Sequence, residues 1–299
     1  MAVKQAAPRQ GIAGTSVAVI GLGLMGGSVA RALGRAGIAV TAWDRDETVL
    51  AQALEQGVIA HAAPDGAQAV AGAALVVLCL YPGDTLAFLQ RHHGDFAPGA
   101  VVTDICGVKR CIDEQAQAYS RFHFVPGHPM AGRERGGFGQ STATLFDGCN
   151  YLLTPQRDGD AAALNLVRRF AGVLGTAWII ETTPEEHDAM IAYTSQLPHA
   201  LAVAYVLAAD GRDPLPFSAG SYRDVSRVAA INATMWSELF LRNADALQAE
   251  MDRLRAGMDA LEDALRRGDR HALIHIMSQA ATAREAQPSA GGAERNGSV

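Results

Sequence analysis

Cysteine, charged residues and long apolar runs are all scarce in this 299-residue sequence. Its four cysteines form no C-x-x-C pair, which favours buried, reduced thiols over disulfides or a metal site. Reduced thiols predict a cytoplasmic protein. Only 19% of the residues are charged and the formal net charge is −6, whereas nonspecific nucleic-acid binding needs clustered Lys and Arg. We therefore expect neither a nucleic-acid partner nor a bound metal.

The apolar runs are too short for a membrane protein. The longest, AGAALVVLCLY, is well below the roughly 20 residues that cross a bilayer. The start of the chain, MAVKQAAPRQGIAG, lacks the apolar core of a signal peptide. We expect no membrane partner. Both ends, residues 1–14 and 286–299, are small and polar, so we expect them to be disordered.

Residues 15–181 alternate short apolar or β-branched runs with helical stretches. Continuous apolar strands separated by helices are typical of a sheet that is covered on both faces. This half is predicted to be an α/β domain with a Rossmann-type, doubly wound and mostly parallel sheet. The runs are SVAVIG, IAVTAWD, LVVLCLY, VVTDI, FHFVP, NYLLTP and AWIIE.

Residues 182–285 have a helical pattern instead. Thr183 is a candidate N-cap, followed by Pro184 at the first helical position and Glu186 at the capping-box position. Apolar residues recur every three or four positions, which predicts an all-helical C-terminal domain that folds alone or pairs with a second copy. The predicted helices are 184–209, 221–230, 233–267 and 269–284.

A glycine-rich loop follows the first strand of the α/β half, in VAVIGLGLMGGSVARALGRAG. Gly21 permits a tight turn, Gly23 lets the backbone approach a pyrophosphate, and Gly26 lets helix and strand pack closely. The positive pole of the following helix favours phosphate. We predict a dinucleotide site formed by this loop; the alternative is a glycine-rich turn in an unrelated α/β domain. Its remaining residues are Leu22, Leu24 and Met25.

The second strand ends in Asp44, where a carboxylate would accept hydrogen bonds from the adenosine ribose. That carboxylate would repel a 2′-phosphate, which favours NAD over NADP. Arg45 argues the other way, because a guanidinium beside the ribose accommodates that phosphate. NAD is the predicted cofactor.

The sequence resembles the prephenate and arogenate dehydrogenases of tyrosine biosynthesis over nearly its whole length. The motifs are VIGLGLMGGSVA, TDICGVK, GHPMAGRERGG, EEHDAMIAYTSQLPHALA, YRDVSRVA and MWSELFLRN. The resemblance implies NAD-dependent oxidation of a cyclohexadienol, in which carbon 4 of the ring loses hydride, its hydroxyl loses a proton, and the ring carboxylate leaves as carbon dioxide. Prephenate would give 4-hydroxyphenylpyruvate and arogenate would give tyrosine.

His128, in GHPMAG, is the predicted catalytic base. An unperturbed imidazole has a pKa of about 6.5, so at working pH it can be neutral and accept a proton. It lies just past a strand, near the crevice where doubly wound sheets bind ligands, and Pro129 restricts its backbone. Without the resemblance, a histidine bonded to a loop carbonyl explains it equally well.

Two further histidines lie on the first helix of the second half. By resemblance His187 is catalytic and faces the substrate or the nicotinamide; its place in the first helical turn favours a neutral ring. His199 lies twelve positions later. Pro198 predicts a kink that brings His199 to the substrate. Taken without the resemblance, both are ordinary helix histidines.

By resemblance Arg227 is the clamp for a substrate carboxylate, because its planar guanidinium makes two parallel bonds. Asp224 lies three residues earlier on the same helical face and would hold it. The alternative is a surface ion pair. Arg133 is predicted to contact a second carboxylate or the substrate side chain, and Trp236 to pack between helices.

The chain departs from the family where many members have a serine, at Gly107. Glycine cannot bond to the substrate hydroxyl or to His128, so we expect water, Cys106 or Lys109 to orient that ring. Cys106 is not expected to be a nucleophile, since the reaction needs no covalent intermediate. Gln196 also replaces a histidine that is frequent in the family.

Two other functions fit parts of the sequence. A dehydrogenase of the β-hydroxyacid or 6-phosphogluconate type needs a catalytic lysine in its helical part, but the only lysines are Lys4 and Lys109. A regulator that senses NAD without catalysis stays open, although it would not need the histidines and Arg227. The helical apolar surface and the resemblance together predict a homodimer through residues 182–285.

Overall fold

The computed structural model describes residues 2–133, 135–156 and 159–287. They fall into two compact units, which divide between Leu247 and Gln248. We predicted that residues 286–299 are disordered; from residue 288 onward they lie outside the described residues.

A six-stranded parallel sheet forms the centre of the first unit, in the order β4-β3-β2-β5-β6-β7. Because the chain runs outward from β2 in one direction and then restarts at β5 on its other side, a ligand crevice is expected where the order reverses. The predicted Rossmann-type sheet is confirmed. Its strands are β2 (Val17–Ile20), β3 (Val40–Trp43), β4 (His61–Ala62), β5 (Leu75–Leu78), β6 (Val101–Asp104) and β7 (His123–Phe124).

Helices on both faces bury the apolar strands in two cores. Every side chain of β2, β5 and β6 is buried, which explains why these strands read as continuous apolar runs. The helices that connect the strands are α1 (Leu24–Arg35), α2 (Glu47–Glu55), α3 (Gly66–Ala71), α4 (Pro82–His92) and α5 (Arg110–Ala116).

A second, mixed sheet of four strands has the order β1-β10-β9-β8. The sequence predicted one sheet, but the chain leaves the parallel sheet after Val125. That residue is the last whose amide donates to a backbone carbonyl of β6, because Pro126 has no N–H for the ladder. NYLLTP and AWIIE therefore belong to the second sheet. Its elements are β1 (Val3–Ala6), β8 (Gly127–Pro129), β9 (Asn150–Leu153), helix α6 (Ala161–Val173) and β10 (Trp178–Glu181).

The expected disorder of residues 1–14 is wrong. Val3–Ala6 pairs antiparallel with β10, and the Lys4 ammonium lies 4.3 Å from the centre of the Trp178 ring. Ile12 is fully buried in the core. A free strand edge on β10 supplies pairing partners that the composition of the segment does not reveal.

After β10 the described chain is helical, apart from its turns. Thr183 accepts a hydrogen bond from the Glu186 amide, so the predicted N-cap is confirmed. A π-helical turn at Ala192–Gln196 stands just before Pro198, so the expected departure from a straight α-helix takes that form. The helices are α7 (Pro184–Ile191), α8 (Leu197–Leu207), α9 (Gly220–Arg227), α10 (Ala233–Arg242), α11 (Ala244–Arg266) and α12 (Arg270–Glu285).

The predicted helix 233–267 is broken at Asn243, which has non-helical backbone angles. Its fully buried side chain donates to the Asp188 carbonyl and to Gln196 Oε1, and accepts from Arg110. These three bonds hold the residue out of the helix. Asparagine competes well with helical hydrogen bonding in this way.

The first compact unit continues past the predicted domain boundary at Thr182, because α7 packs against α5.

Within the described residues, no helix is both long and apolar enough to span a bilayer. Nor does that part of the chain hold a cluster of three or more His, Cys, Asp or Glu that is suited to a metal.

Candidate active site

The predicted cofactor loop lies at the carboxyl end of β2, beside the point where strand order reverses. A Cβ on Gly26 would stand 1.8 Å from the Gly21 carbonyl oxygen, and one on Gly21 would stand 2.6 Å from the Cys79 carbonyl oxygen. Gly21 also has a φ of 90°. Both positions therefore require glycine for the turn itself.

Gly23 differs, because a Cβ there would meet no atom within 4 Å. It is the N-cap of α1, and no side chain of the described residues caps that helix end. Open space in front of uncapped amides suits a phosphate group. Leu22, Leu24 and Met25 complete the loop, and the arrangement fits a dinucleotide.

Asp44 stands at the end of β3 and faces the same loop. One carboxylate oxygen accepts from the Leu22 amide at 2.6 Å and the other from the Asp46 amide at 2.9 Å. These bonds hold the carboxylate at the edge of the crevice. The side chain of Arg45 is 78% exposed and lies 3.6 Å from Asp84.

His128 lies in the middle of β8, opposite Leu152 of β9, and is half-buried. The adjacent Gly127 is required by close packing, because a Cβ there would stand 2.6 Å from the Tyr151 hydroxyl. The Gly127 amide donates to Asp104 at the end of β6. The second sheet is thereby joined to the first, and His128 lies beside the carboxyl end of β6.

A hydrogen bond of 3.0 Å joins Nδ1 of His128 to Nε2 of His187. The other nitrogen of His187 lies 2.8 Å from the carboxylate of Asp188. His187 is only 1% exposed. Our prediction that it faces the substrate or the nicotinamide is therefore wrong: it stands behind His128, because the first turn of α7 packs against the β6–α5 loop.

This contact also answers what orients His128 in the absence of a side chain at position 107. We expected water, Cys106 or Lys109, but the bond comes from His187. The Cys106 thiol lies 3.4 Å from the Leu80 carbonyl oxygen within the core, where burial raises its pKa. Its predicted contact with the substrate stays a prediction.

Lys109 is buried in an ion pair with Asp104, and both side chains are almost inaccessible. Asp104 also accepts from the amides of Cys106 and Gly127. Its carboxylate is thus fully engaged, and the lysine charge is balanced. Lys109 contributes a positive potential near His128 without contacting it.

Both site histidines are held neutral. Burial lowers the pKa of His128 well below its usual value, and His187 and Lys109 lower it further. Burial likewise lowers the pKa of His187, and the hydrogen bond to Asp188 only partly offsets this. His187 was expected to be neutral because of the helix dipole, whereas burial is the larger cause.

Gly107 lies directly against His128. A Cβ there would stand 3.8 Å from both Cε1 and Nε2 of His128 and 3.3 Å from Leu239. The second ring nitrogen of His128 therefore faces the space beside Gly107, and Leu239 of α10 borders it. Gln196, at the family's histidine position, is buried and donates to the Leu239 carbonyl.

His199 lies on α8, and its ring stacks on Trp236 of α10 with 3.9 Å between ring centres. Its Nδ1 bonds to the Ser195 carbonyl oxygen at 2.8 Å. Trp236 packs between helices as predicted. The structure thus places His199 on the same helix pair as Leu239.

The remaining predicted substrate residues are exposed. Arg227 ends α9, and Asp224 lies one turn earlier. Arg133 donates to the Gln140 carbonyl at 3.4 Å. Their roles as carboxylate contacts stay predictions.

Sequence reasoning missed Asp188 and Asn243. Asp188 is fully buried and accepts from the amides of Lys109 and Arg110. The only sequence signal was its position next to His187 in EEHD. Asn243 gave none, since it lies inside a regular apolar helical pattern.

Comparisons with known proteins match both halves of the chain. The nucleotide-binding domain of prephenate dehydrogenase matches residues 29–180, and the dimerization domain of prephenate dehydrogenase matches residues 183–279. Cyclohexadienyl dehydrogenase of Zymomonas mobilis is 31% identical over 281 residues, covering 90% of this chain and 94% of that protein.

Two solved structures share the architecture. Prephenate dehydrogenase from Aquifex aeolicus, in complex with hydroxyphenyl propionate and NAD+, has a TM-score of 0.84 at 25% identity, covering 92% of this chain and 99% of that chain. Synechocystis arogenate dehydrogenase has a TM-score of 0.78 at 28% identity, covering 90% and 99% respectively.

Proposed function

The chain belongs to the prephenate dehydrogenase family, and on that premise we propose that it oxidatively decarboxylates prephenate to 4-hydroxyphenylpyruvate with NAD. The observation that carries the proposal is Nε2 of His128, which has no hydrogen-bond partner among the described residues. Its Nδ1 is engaged by His187, which leaves Nε2 beside Gly107 at the carboxyl edge of the sheet.

His128 acts as the base in this proposal. The lowered pKa keeps its ring neutral at neutral pH, so Nε2 accepts the proton of the substrate 4-hydroxyl. Removal of that proton raises the electron density on the 4-oxygen, which favours loss of hydride from carbon 4. When bound, NAD supplies the acceptor for the hydride that leaves this carbon.

The glycine loop and Asp44 would hold that cofactor. Gly23 leaves open space at the start of α1 that would take the pyrophosphate, and the Asp44 carboxylate beside it would accept from the ribose hydroxyls. Arg227 would clamp a substrate carboxylate, with Asp224 one turn away. His199 and Arg133 complete the proposed substrate contacts. Residues 15–181 would thus bind the cofactor, and 182–285 would contribute to the substrate site.

Arogenate is the second candidate substrate. The Zymomonas mobilis relative at 31% identity is a cyclohexadienyl dehydrogenase, a name that covers both dienols. Prephenate carries a keto acid and arogenate an amino acid at the end of the side chain. A polar partner near Arg133 would discriminate between them.

The test is to mix the purified full-length protein with NAD and either substrate and to follow NADH by absorbance. We expect NADH and carbon dioxide in equal amounts with prephenate. Turnover with arogenate alone would reassign the substrate. No NADH with either dienol would overturn the proposal and favour a regulator that binds NAD without catalysis.

We also propose a homodimer formed through the helices, since the matched C-terminal family model is a dimerization domain. Exposed apolar side chains on α12 and the later part of α11 support this, among them Met258, Leu265, Ile274 and Met277. Light scattering should give twice the chain mass of 31.4 kDa; only monomer at micromolar concentration would contradict it.

We propose a cytoplasmic location, which the free thiols support.

A further inference from the structure

We propose that Asp188 is a positioning residue that sets, through His187, the tautomer in which His128 presents an unprotonated Nε2 to the substrate hydroxyl. The proposal rests on the proposed function, in which His128 is the base. It concerns which nitrogen of each ring carries the proton.

The bonding partners of Asp188 require it to be a carboxylate. One oxygen accepts from the Lys109 amide at 2.8 Å and lies 2.8 Å from His187 Nδ1. The other accepts from the amide and the Nε of Arg110, at 3.1 and 3.2 Å. Three of these four partners, the two amides and the Arg110 Nε, can only donate, and this favours an ionised Asp188. Burial alone would raise the pKa of Asp188, but the bonds from His187, Arg110 and Lys109 outweigh it and lower the pKa.

The direction of both hydrogen bonds, from His187 to Asp188 and from His128 to His187, follows from that charge. An ionised carboxylate can only accept, so Nδ1 of His187 must carry its proton. A neutral His187 then has a lone pair on Nε2, which must accept from Nδ1–H of His128. A neutral His128 is left with a lone pair on its own Nε2, the nitrogen beside Gly107.

The opposite direction of donation is disfavoured at both hydrogen bonds. It would need Nε2–H of His187 to donate to His128, and Asp188 to donate to His187. His128 would then present an N–H to the substrate hydroxyl and could not remove its proton. Double protonation of either ring is opposed by burial and by the Lys109 charge.

Other charged groups near the pair do not alter this order. Asp104 is engaged by Lys109 and by backbone amides. Both terminal nitrogens of Arg110 donate to Asp245, and one of them also donates to Asn243. Asp188 is therefore the one carboxylate that contacts either ring among the described residues.

A purely structural role is the competing explanation, because Asp188 also ties α7 to the start of α5. The Asp188→Asn variant distinguishes this structural role from a role in setting the tautomer. An amide has to turn its NH2 either toward the two Arg110 donors or toward His187 and the Lys109 amide. The second choice loses one bond rather than two, because the histidine can respond by becoming an acceptor. The variant should therefore reverse both tautomers while it keeps most of the packing.

Asp245→Asn is the matched control. It is the same chemical change in the same hydrogen-bonded network, but Asp245 is exposed and contacts Arg110 rather than a histidine. Its kcat should stay within about threefold of wild type, as is usual for exposed ion pairs.

For Asp188→Asn we expect kcat with NAD and the active dienol to fall about 10²- to 10⁴-fold, the usual contribution of a general base. KM and the NAD Kd should change little. The ¹⁵N NMR spectrum of the histidine rings should show His128 protonated on Nδ1 in wild type and on Nε2 in the variant, with the signal assigned from its loss in His128→Asn.

The readouts keep the two proposals apart. An inactive wild-type protein would overturn the proposed function, whereas the NMR spectrum still tests the tautomer without turnover. Wild-type His128 protonated on Nε2 would overturn the present inference, even if Asp188→Asn failed to fold. So would a kcat of Asp188→Asn within threefold of wild type, or equal losses in both Asn variants.

Discussion

Nδ1 of His128 lies 3.0 Å from Nε2 of His187, although 59 positions separate the two residues in the chain. One ring is carried by a short strand of the second sheet and the other by the first turn of α7. The candidate site therefore forms only when this helix has packed against the β6–α5 loop. The geometry of the base and the stability of that packing depend on the same residues.

Replacing His128 by Asn should abolish most turnover. The amide cannot accept a proton as imidazole does, so kcat should fall about 10²- to 10⁴-fold. The NAD Kd, measured by titration calorimetry, should be unchanged, because the glycine loop is intact. Near-normal turnover would remove His128 from the mechanism.

The activity should also persist to lower pH than a free imidazole would allow. Only neutral His128 accepts the proton, and its pKa is lowered by burial, His187 and Lys109. The acid limb of kcat/KM should therefore lie below about pH 6.5, the ordinary value for histidine. A limb above that pH, in a full pH–rate profile, would contradict the buried environment.

Stability should fall as the solution is acidified. His128 and His187 have lowered pKa values when folded, so the unfolded chain binds more protons once the pH drops below about 6.5. The free energy of unfolding in urea should be lower at pH 5.5 than at pH 7.5. His128→Asn should weaken this dependence; an equally steep dependence in that variant would count against His128 as a source.

Two alanine substitutions in the glycine loop should act differently. Gly26→Ala places a methyl group 1.8 Å from the Gly21 carbonyl oxygen, which should cost roughly 1–3 kcal/mol of stability as overpacking does. Gly23→Ala adds a methyl in open space, so its melting temperature should match wild type. Its NAD Kd should nonetheless rise about tenfold, equivalent to 1.4 kcal/mol, because the methyl occupies the phosphate approach. Unchanged affinity in Gly23→Ala would place the pyrophosphate elsewhere.

Arg227→Lys tests the carboxylate clamp. Lysine keeps the charge but loses the paired hydrogen bonds, so KM for the dienol should rise about tenfold while kcat changes less. Steady-state kinetics with saturating NAD would measure both. An unchanged KM would mean that Arg227 does not bind the substrate.

Local patterns predicted the parallel sheet, the glycine loop and the cap at Thr183, because each depends on a few neighbouring residues. The strand at Val3–Ala6 could not be predicted in the same way, since its pairing partner is β10, far along the chain. The break at Asn243 likewise depends on partners in α5, α7 and the π-helical turn.

The site shows the same limit. The identity of His128 was predictable from its motif and the resemblance, but its partner was not. Nothing in EEHD indicates whether a histidine in the first turn of a helix faces ligand or core; that depends on how α7 lies against α5. The sequence also gives no sign that His187, rather than a side chain at position 107, contacts the His128 ring.

The pairing of Val3–Ala6 with Trp178–Glu181 has a practical consequence for protein production. β10 leads directly into the helix that carries His187 and Asp188. Trimming the first six residues would expose the edge of β10 and loosen the start of that helix. An affinity tag fused to the amino terminus should therefore be joined through a flexible spacer, and every kinetic comparison should use chains with identical beginnings.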